Sequence, residues 1–138
     1  LGDAVNLAAR LEGQSKSYAV ETVLGPDTAA KAEPNYAVLR LDLIAVKGRS
    51  EPAEIFALLG DKTMRDDPDF TALTDANEEM HKLFRTNDWD GAEAAMAICR
   101  QSKYAPQGFY DMMADRIADY REAPPPADWG GVYVATTK

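Results

Sequence analysis

The stretch YAVLRLDLIAVKGRSEPAEIFALL, residues 36–59, decides the fold of the N-terminal part of this chain. It holds two runs of the composition typical of β-strands, Tyr36–Val46 and Ala53–Leu59. The segment between them contains Gly48 and Pro52, which favour a turn, so the two runs are predicted to form a β-hairpin with basic residues at its tip. Apolar residues alternate imperfectly in the first run, which predicts a bulge or a strand that is buried on both faces.

Upstream of the hairpin, the sequence predicts a helix, a strand and a second helix. The first helix lies in LGDAVNLAARLEG, residues 1–13, where small apolar residues recur at helical spacing and Asp3 is the expected N-cap. Ala19–Val23 has the composition of a strand. After the breaker GPD, Asp27–Glu33 is predicted to be a short helix.

Two polar residues stand out on the first predicted helix. Asn6 and Arg10 are four positions apart and therefore share one helical face. Both side chains are costly to bury without partners. Spacing alone leaves two interpretations open: a surface pair, with the arginine bonded to a carboxylate such as Glu12, or a pair that faces a ligand.

The periodicity becomes helical after a polar boundary. We assign residues 1–60 to an N-terminal unit, residues 61–69 to a linker and residues 70–138 to an α-helical extension with an extended tail. Three helices are predicted there, the third over residues 107–121, and their inward residues at helical spacing are Leu73, Ala76, Met80, Leu83, Phe84, Ala92, Ala95, Met96, Ile98, Cys99, Phe109, Met112, Met113, Ile117 and Tyr120. Three prolines end the third helix. In the aromatic tail that follows, Val132–Val134 is predicted to be a short strand or an extended clasp. The tail is either anchored on a folded surface or a flexible end.

Composition and charge narrow the classes of function. The 138-residue chain has a net charge of −8 and a pI near 4.6, which argues against a nucleic-acid partner, because that binding needs clustered Lys and Arg. Cys99 is the only cysteine and His81 the only histidine, which excludes an internal disulfide and disfavours catalytic triads and zinc sites. We expect Cys99 to be a buried small hydrophobe and His81 to lie on a helix surface. No apolar run approaches the about 20 residues of a membrane span.

Two motifs carry a resemblance to a known family. GDAVNLAARLE, residues 2–12, closely resembles the signature helix of class III nucleotidyl cyclases, the catalytic domain of adenylate and guanylate cyclases. VKGRSEP, residues 46–52, resembles the last hairpin of that family, in the family's order and at about its spacing. The resemblance implies an α+β fold over residues 1–60, the C-terminal portion of a cyclase domain with its helix, strands and terminal β-hairpin. An α-helical hairpin-type extension follows it.

The resemblance implies roles for three residues. Asn6 matches the asparagine that orients the ribose, and Arg10 the arginine that stabilises phosphate charge as the 3′-hydroxyl attacks the α-phosphorus. Lys47 matches the hairpin lysine that contacts the terminal phosphates. The implied reaction of the parent enzyme converts ATP, with GTP less favoured, to the 3′,5′-cyclic monophosphate and pyrophosphate. A planar, always-charged arginine suits such a transition state, and a lysine suits a point contact.

The family also implies a metal cofactor and a homodimer. Its reaction uses two ions, Mg²⁺ or Mn²⁺, held by two aspartates on earlier strands that match nothing in this chain. Asp3 is therefore expected to be an N-cap and not a metal ligand, and the fragment is expected to be inactive alone. The family's active sites form between two catalytic domains, which implies sites at a two-fold subunit interface.

The helical part leaves its role open. Residues 70–102 resemble a helix pair of the tetratricopeptide type, which suits either a small self-packing cap or an element that binds a protein partner. Residues 108–138 resemble the C-terminal extension of some bacterial membrane-anchored adenylate cyclases, which implies a cytoplasmic catalytic part in a parent anchored in the inner membrane. Two alternatives to an enzyme remain: a catalytically dead cyclase homologue that senses a nucleotide or dimerises, and a scaffold.

Overall fold

The computed structural model describes residues 14–45 and 51–134 of the chain. They divide into two compact units. The sheet unit comprises the described residues up to Arg65 together with residues 132–134, and the helical unit comprises Asp66–Gly131. The helical unit is therefore an insertion in the sequence of the sheet unit. The chain leaves the sheet unit after residue 65 and returns to it at residue 132.

The elements follow the α+β composition that the sequence predicts. The sheet unit contains α1 (described residues 14–18), β1 (Val23–Leu24), α2 (Pro26–Ala32), β2 (Ala37–Ala45), β3 (Ala53–Gly60), α3 (Lys62–Arg65) and β4 (Val132–Val134). The helical unit contains α4 (Pro68–Phe84), α5 (Trp89–Arg100) and α6 (Gln107–Glu122).

The sheet is mixed and four-stranded, in the order β1-β3-β2-β4. Strands β2 and β3 form the predicted antiparallel hairpin, in which Val38 lies opposite Leu58 and Ile44 opposite Ala53. The buried side of β3 carries Ala53, Ile55 and Ala57. The residues between them are partly exposed, as expected for a strand of period two with one face on the core.

The predicted strand at residues 19–23 is wrong over most of its length. Residues 14–18 are helical, and β1 is limited to Val23–Leu24. Ala19 has a left-handed φ of 57°, its N–H donates to the Lys16 carbonyl oxygen, and the N–H of Val20 donates to that of Ser15. These two bonds form the Schellman ending of a helix. The β-branched residues that suggested a strand follow the αL residue that ends α1.

The described tail differs from the predicted division of the chain. Val132–Val134 forms the short strand that was one of the two predicted alternatives. The prediction placed it in the helical extension of residues 70–138, yet it pairs in parallel with Leu43–Ala45 of β2. Gly130 and Gly131 have φ values of 68° and 87°, so the chain turns into β4 through two left-handed residues that suit glycine. Because this pairing joins residues about ninety positions apart, helical periodicity could not indicate it.

The predicted linker, residues 61–69, also contains ordered structure. It includes α3 and the start of α4, where Asp67 is the N-cap and its side chain accepts a hydrogen bond from the N–H of Asp69. Pro68 occupies the first turn, where its missing N–H costs nothing. The Asp-Asp-Pro sequence that suggested a linker is therefore the start signal of a helix.

The core of the helical unit is largely the one predicted. Leu73, Met80 and Phe84 of α4 are buried, as are Cys99 and, on α6, Phe109, Met113 and Ile117. Two assignments are wrong. Ile98 is 56% exposed, and His81, expected on the surface, is 3% exposed.

The burial of His81 follows from its position on α4. It lies four residues after buried Asn77 and three before buried Phe84, so it shares their inward face. Its ring stacks on Phe109 with the ring centroids 6.4 Å apart. Among the described residues, no helix is both long and apolar enough to cross a membrane.

Candidate functional site

The three residues that the sequence singles out for chemistry lie outside the described residues. Asn6 and Arg10 precede residue 14, and Lys47 lies within residues 46–50. The structure does describe the elements that flank them: α1 after Arg10, the end of β2 before Lys47 and the start of β3 after it. For a candidate site, the structure therefore describes the geometry of these flanking elements.

The hairpin ends that flank Lys47 are paired. Ile44 lies opposite Ala53 in the antiparallel ladder, and Ala45 lies opposite Val134 of β4. Ile44 is therefore paired on both sides, with Ala53 of β3 and with Tyr133 of β4.

One arginine of the hairpin has a structural role that sequence reasoning missed. The Arg40 guanidinium lies 2.8 Å from a carboxylate oxygen of Glu54 and 5.0 Å from the ring centroid of Phe56. The side chains of Arg40 and Glu54 remain 25% and 29% exposed, so this pair is worth at most about 1 kcal/mol. We assign Arg40 to stabilising this face of the hairpin.

A β-bulge at Leu41 changes which face of the sheet the next residue occupies. Arg40 lies opposite Phe56, and Asp42 lies opposite Ile55, so two steps along β2 match one step along β3. Without the bulge, Asp42 would share the partly exposed face of Arg40. With it, Asp42 faces the core on the side of Ile55, and its residue exposure is 2%.

The buried carboxylate of Asp42 is held by two hydrogen bonds. The Tyr18 hydroxyl donates to Oδ2 at 2.6 Å, and the backbone N–H of Leu43 donates to Oδ1 at 2.8 Å. Tyr18 is itself 1% exposed and is the last helical residue of α1. A hydrogen bond to a charged group stabilises by about 1.5–3 kcal/mol, and an unpaired buried carboxylate costs more. This pair therefore fastens α1 to the bulge of β2.

Sequence reasoning did not identify Tyr18 and Asp42. One signal was present: a single carboxylate in the apolar run Leu41-Asp42-Leu43-Ile44 of a predicted strand. A charge at such a position is either on the exposed face or buried with a donor. The one-residue shift that decides between them depends on the pairing with β3.

The described residues do not fit a two-metal site. Across residues 14–45 and 51–134, no group of three or more His, Cys, Asp or Glu side chains could hold a metal ion. The buried carboxylate of Asp42 is occupied by the donors of Tyr18 and Leu43.

The helical unit has a polar cluster at the start of α4. The Tyr104 hydroxyl donates to a carboxylate oxygen of Asp67 at 2.5 Å, and the Lys103 ammonium lies 3.5 Å from the same oxygen. Beside it, Asp69 accepts hydrogen bonds from the Ser102 hydroxyl and the Lys103 N–H, both at 3.0 Å. The two carboxylates thus tie the first turn of α4 to the loop between α5 and α6, which is a structural role.

Replacing Tyr104 with phenylalanine is expected to lower the unfolding temperature of the helical unit above about pH 4 and to leave it unchanged in stronger acid. Two hydrogen bonds hold the pKa of the Asp67 carboxyl below its ordinary value. The Tyr104 hydroxyl has the larger effect, and the backbone N–H of Asp69 has the smaller one. A lowered folded-state pKa stabilises the fold above the unfolded-state pKa, and this stability is lost as the pH falls through the folded value.

The measurement is the unfolding temperature between pH 2.5 and 7 for wild type and Tyr104→Phe, followed by tryptophan fluorescence. Tyr36→Phe is the matched control, since Tyr36 is 47% exposed and lies in the sheet unit. A difference between Tyr104→Phe and wild type that is the same at both ends of this range would contradict the link to Asp67.

Two buried side chains of the helical unit pair with each other beside the cysteine. The Tyr110 hydroxyl donates to Oδ1 of Asn77 at 2.8 Å, and both residues are fully buried. Burial raises the pKa of Tyr110, and it raises the pKa of the Cys99 thiol as well. A buried thiol with a raised pKa is a poor nucleophile, so Cys99 acts in packing, as the sequence predicts.

Comparison of the chain with protein-family models, with curated proteins and with solved structures found no match.

Proposed function

We propose that this chain supplies the asparagine, arginine and lysine of a class III nucleotidyl cyclase active site. The parent enzyme would convert ATP, with GTP less favoured, to the 3′,5′-cyclic monophosphate and pyrophosphate for signalling. The observation that carries the proposal is that VKGRSEP, residues 46–52, connects two strands whose flanking residues Ile44 and Ala53 are paired in an antiparallel hairpin. A basic hairpin connection is the context that the cyclase motif requires.

The chemistry proposed for the chain's own residues is electrostatic. Asn6 orients the ribose so that its 3′-oxygen is in line with the α-phosphorus. The bond between these two atoms forms as the bond from the α-phosphorus to the pyrophosphate oxygen breaks, and the 3′-hydroxyl loses its proton. Arg10 stabilises the charge on the phosphoryl oxygens, and Lys47 holds the terminal phosphates of the leaving group.

In the proposed enzyme, the nucleotide binds at the sheet unit and not at the helical unit. The helical unit carries 14 acidic and 6 basic residues, so it accounts for the whole net charge of −8. A triphosphate is repelled by such a surface. The helical unit is better suited to binding a protein partner. It is also better suited to stabilising the homodimer that the cyclase hypothesis implies.

The test is product analysis with the intact parent protein. The wild-type protein is incubated with Mn²⁺ and ATP, and separately with Mn²⁺ and GTP, and the products are separated by chromatography. We expect a cyclic nucleotide and pyrophosphate in equal amounts, with cyclic AMP favoured. The absence of any cyclic product from a folded dimer would overturn the proposal that the parent is an enzyme. It would favour a nucleotide-sensing or scaffolding homologue.

A further inference from the structure

The hydrogen bond between Tyr18 and Asp42 joins the two chain segments that border the proposed catalytic residues. Tyr18 follows Arg10 by eight residues, and Asp42 precedes Lys47 by five. The two side chains meet at 2.6 Å, and both are at most 2% exposed. Among the described residues, this is a direct side-chain link between α1 and the strand that leads to Lys47.

Three local features are needed to make this contact. The Schellman ending with its left-handed Ala19 ends α1 directly after Tyr18. The bulge at Leu41 turns Asp42 to the core face of β2. The backbone N–H of Leu43 satisfies the second carboxylate oxygen. An apolar pair at these positions would bury the same surface without the cost of desolvating a carboxylate, so packing alone does not account for the arrangement.

We propose that Tyr18 and Asp42 are positioning residues for the cyclase reaction. Their bond joins α1, after Arg10, to the described part of β2, before Lys47. In the proposed site, this link sets the spacing of the arginine and the phosphate-binding lysine. Catalysis by oriented groups is sensitive to such spacing, since a displacement of about 1 Å can cost about 10²-fold in rate. This inference rests on the proposed function.

The test uses the intact parent protein and compares Tyr18→Phe with Tyr36→Phe. Each variant removes one tyrosine hydroxyl, but Tyr36 is 47% exposed and precedes the first residue of β2, at the opposite end of that strand from Lys47. Tyr18→Phe is expected to lower kcat by about 10-fold or more and to raise the KM for the nucleotide, because the geometry of Arg10 and of Lys47 both change. Tyr36→Phe is expected to keep both constants at their wild-type values.

The KM separates positioning from a loss of folded protein. A smaller folded fraction lowers the apparent kcat in proportion and leaves KM unchanged. Asp42→Asn keeps an oxygen that accepts from Tyr18, so it is expected to retain more activity than Asp42→Ala. The double variant Tyr18→Phe/Asp42→Ala is expected to be no less active than Asp42→Ala, because the two residues act through one bond.

Each outcome bears on one of the two proposals. An inactive wild-type parent overturns the proposed function, and the positioning role falls with it. An active wild type beside a Tyr18→Phe variant of unchanged kcat and KM overturns the positioning role alone. A fall in kcat that matches the loss of folded protein, at constant KM, also overturns it.

Discussion

Replacing Arg10 with alanine is expected to lower the kcat of the proposed parent cyclase by about 10²-fold or more, the usual effect of removing a transition-state donor. In the proposed reaction, negative charge on the phosphoryl oxygens grows as the 3′-oxygen attacks, so the interaction proposed for Arg10 is stronger in the transition state than with the bound nucleotide. The KM is therefore expected to change less than kcat. The measurement is the steady-state rate of cyclic nucleotide formation with Mn²⁺ and the preferred nucleotide.

Three further variants sharpen this prediction. Arg10→Lys keeps the charge but loses the planar fork, so it is expected to fall between alanine and wild type. Lys47→Ala is expected to raise KM more than Arg10→Ala does, because the phosphates that Lys47 is proposed to contact are already charged in the bound nucleotide. Arg121→Ala is the control, since Arg121 pairs with Asp90 and Glu93 on the surface of the helical unit. An Arg10→Ala enzyme with nearly wild-type kcat would contradict the assignment.

The sequence predicted those parts of the fold that depend on local periodicity. The hairpin of β2 and β3 and the three long helices lie close to their predicted positions, because strands and helices leave periods of two and 3.6 in the chain. The features that the sequence did not predict are those that depend on contacts between distant residues. The pairing of Val132–Val134 with β2 and the burial of His81 against Phe109 both depend on contacts far apart in sequence.

In the candidate site, too, local sequence motifs were recognised and long-range contacts were not. Asn6, Arg10 and Lys47 were identified from two local motifs, and they lie outside the residues that the structure describes. Tyr18 and Asp42 belong to no motif and are 24 residues apart, and a one-residue bulge decides that they meet. A shift of register by one residue moves a side chain to the opposite face of a sheet. Sequence patterns do not specify that shift.

Replacing Phe84 with alanine is expected to lower the free energy of unfolding of the helical unit by about 3–5 kcal/mol, the usual cost of truncating a buried phenylalanine. Phe84 is 1% exposed, and its ring centroid lies 5.6 Å from that of Trp89, 5.9 Å from Tyr120 and 5.5 Å from Trp129. This cluster joins the end of α4 to α5, to α6 and to the segment before β4. Alanine removes the central ring, and the three surrounding rings cannot all close the gap.

The chain provides its own probe for this prediction. Its two tryptophans, Trp89 and Trp129, both lie in the cluster, so their fluorescence during urea unfolding reports on the helical unit. Ile98→Ala is the matched apolar truncation on α5, and at 56% exposure it is expected to change stability by no more than about 0.5 kcal/mol. A Phe84→Ala chain that loses no more than Ile98→Ala would show that the aromatic cluster is not the core of this unit. A large loss for Phe84→Ala alone would show that the four rings hold the three helices together.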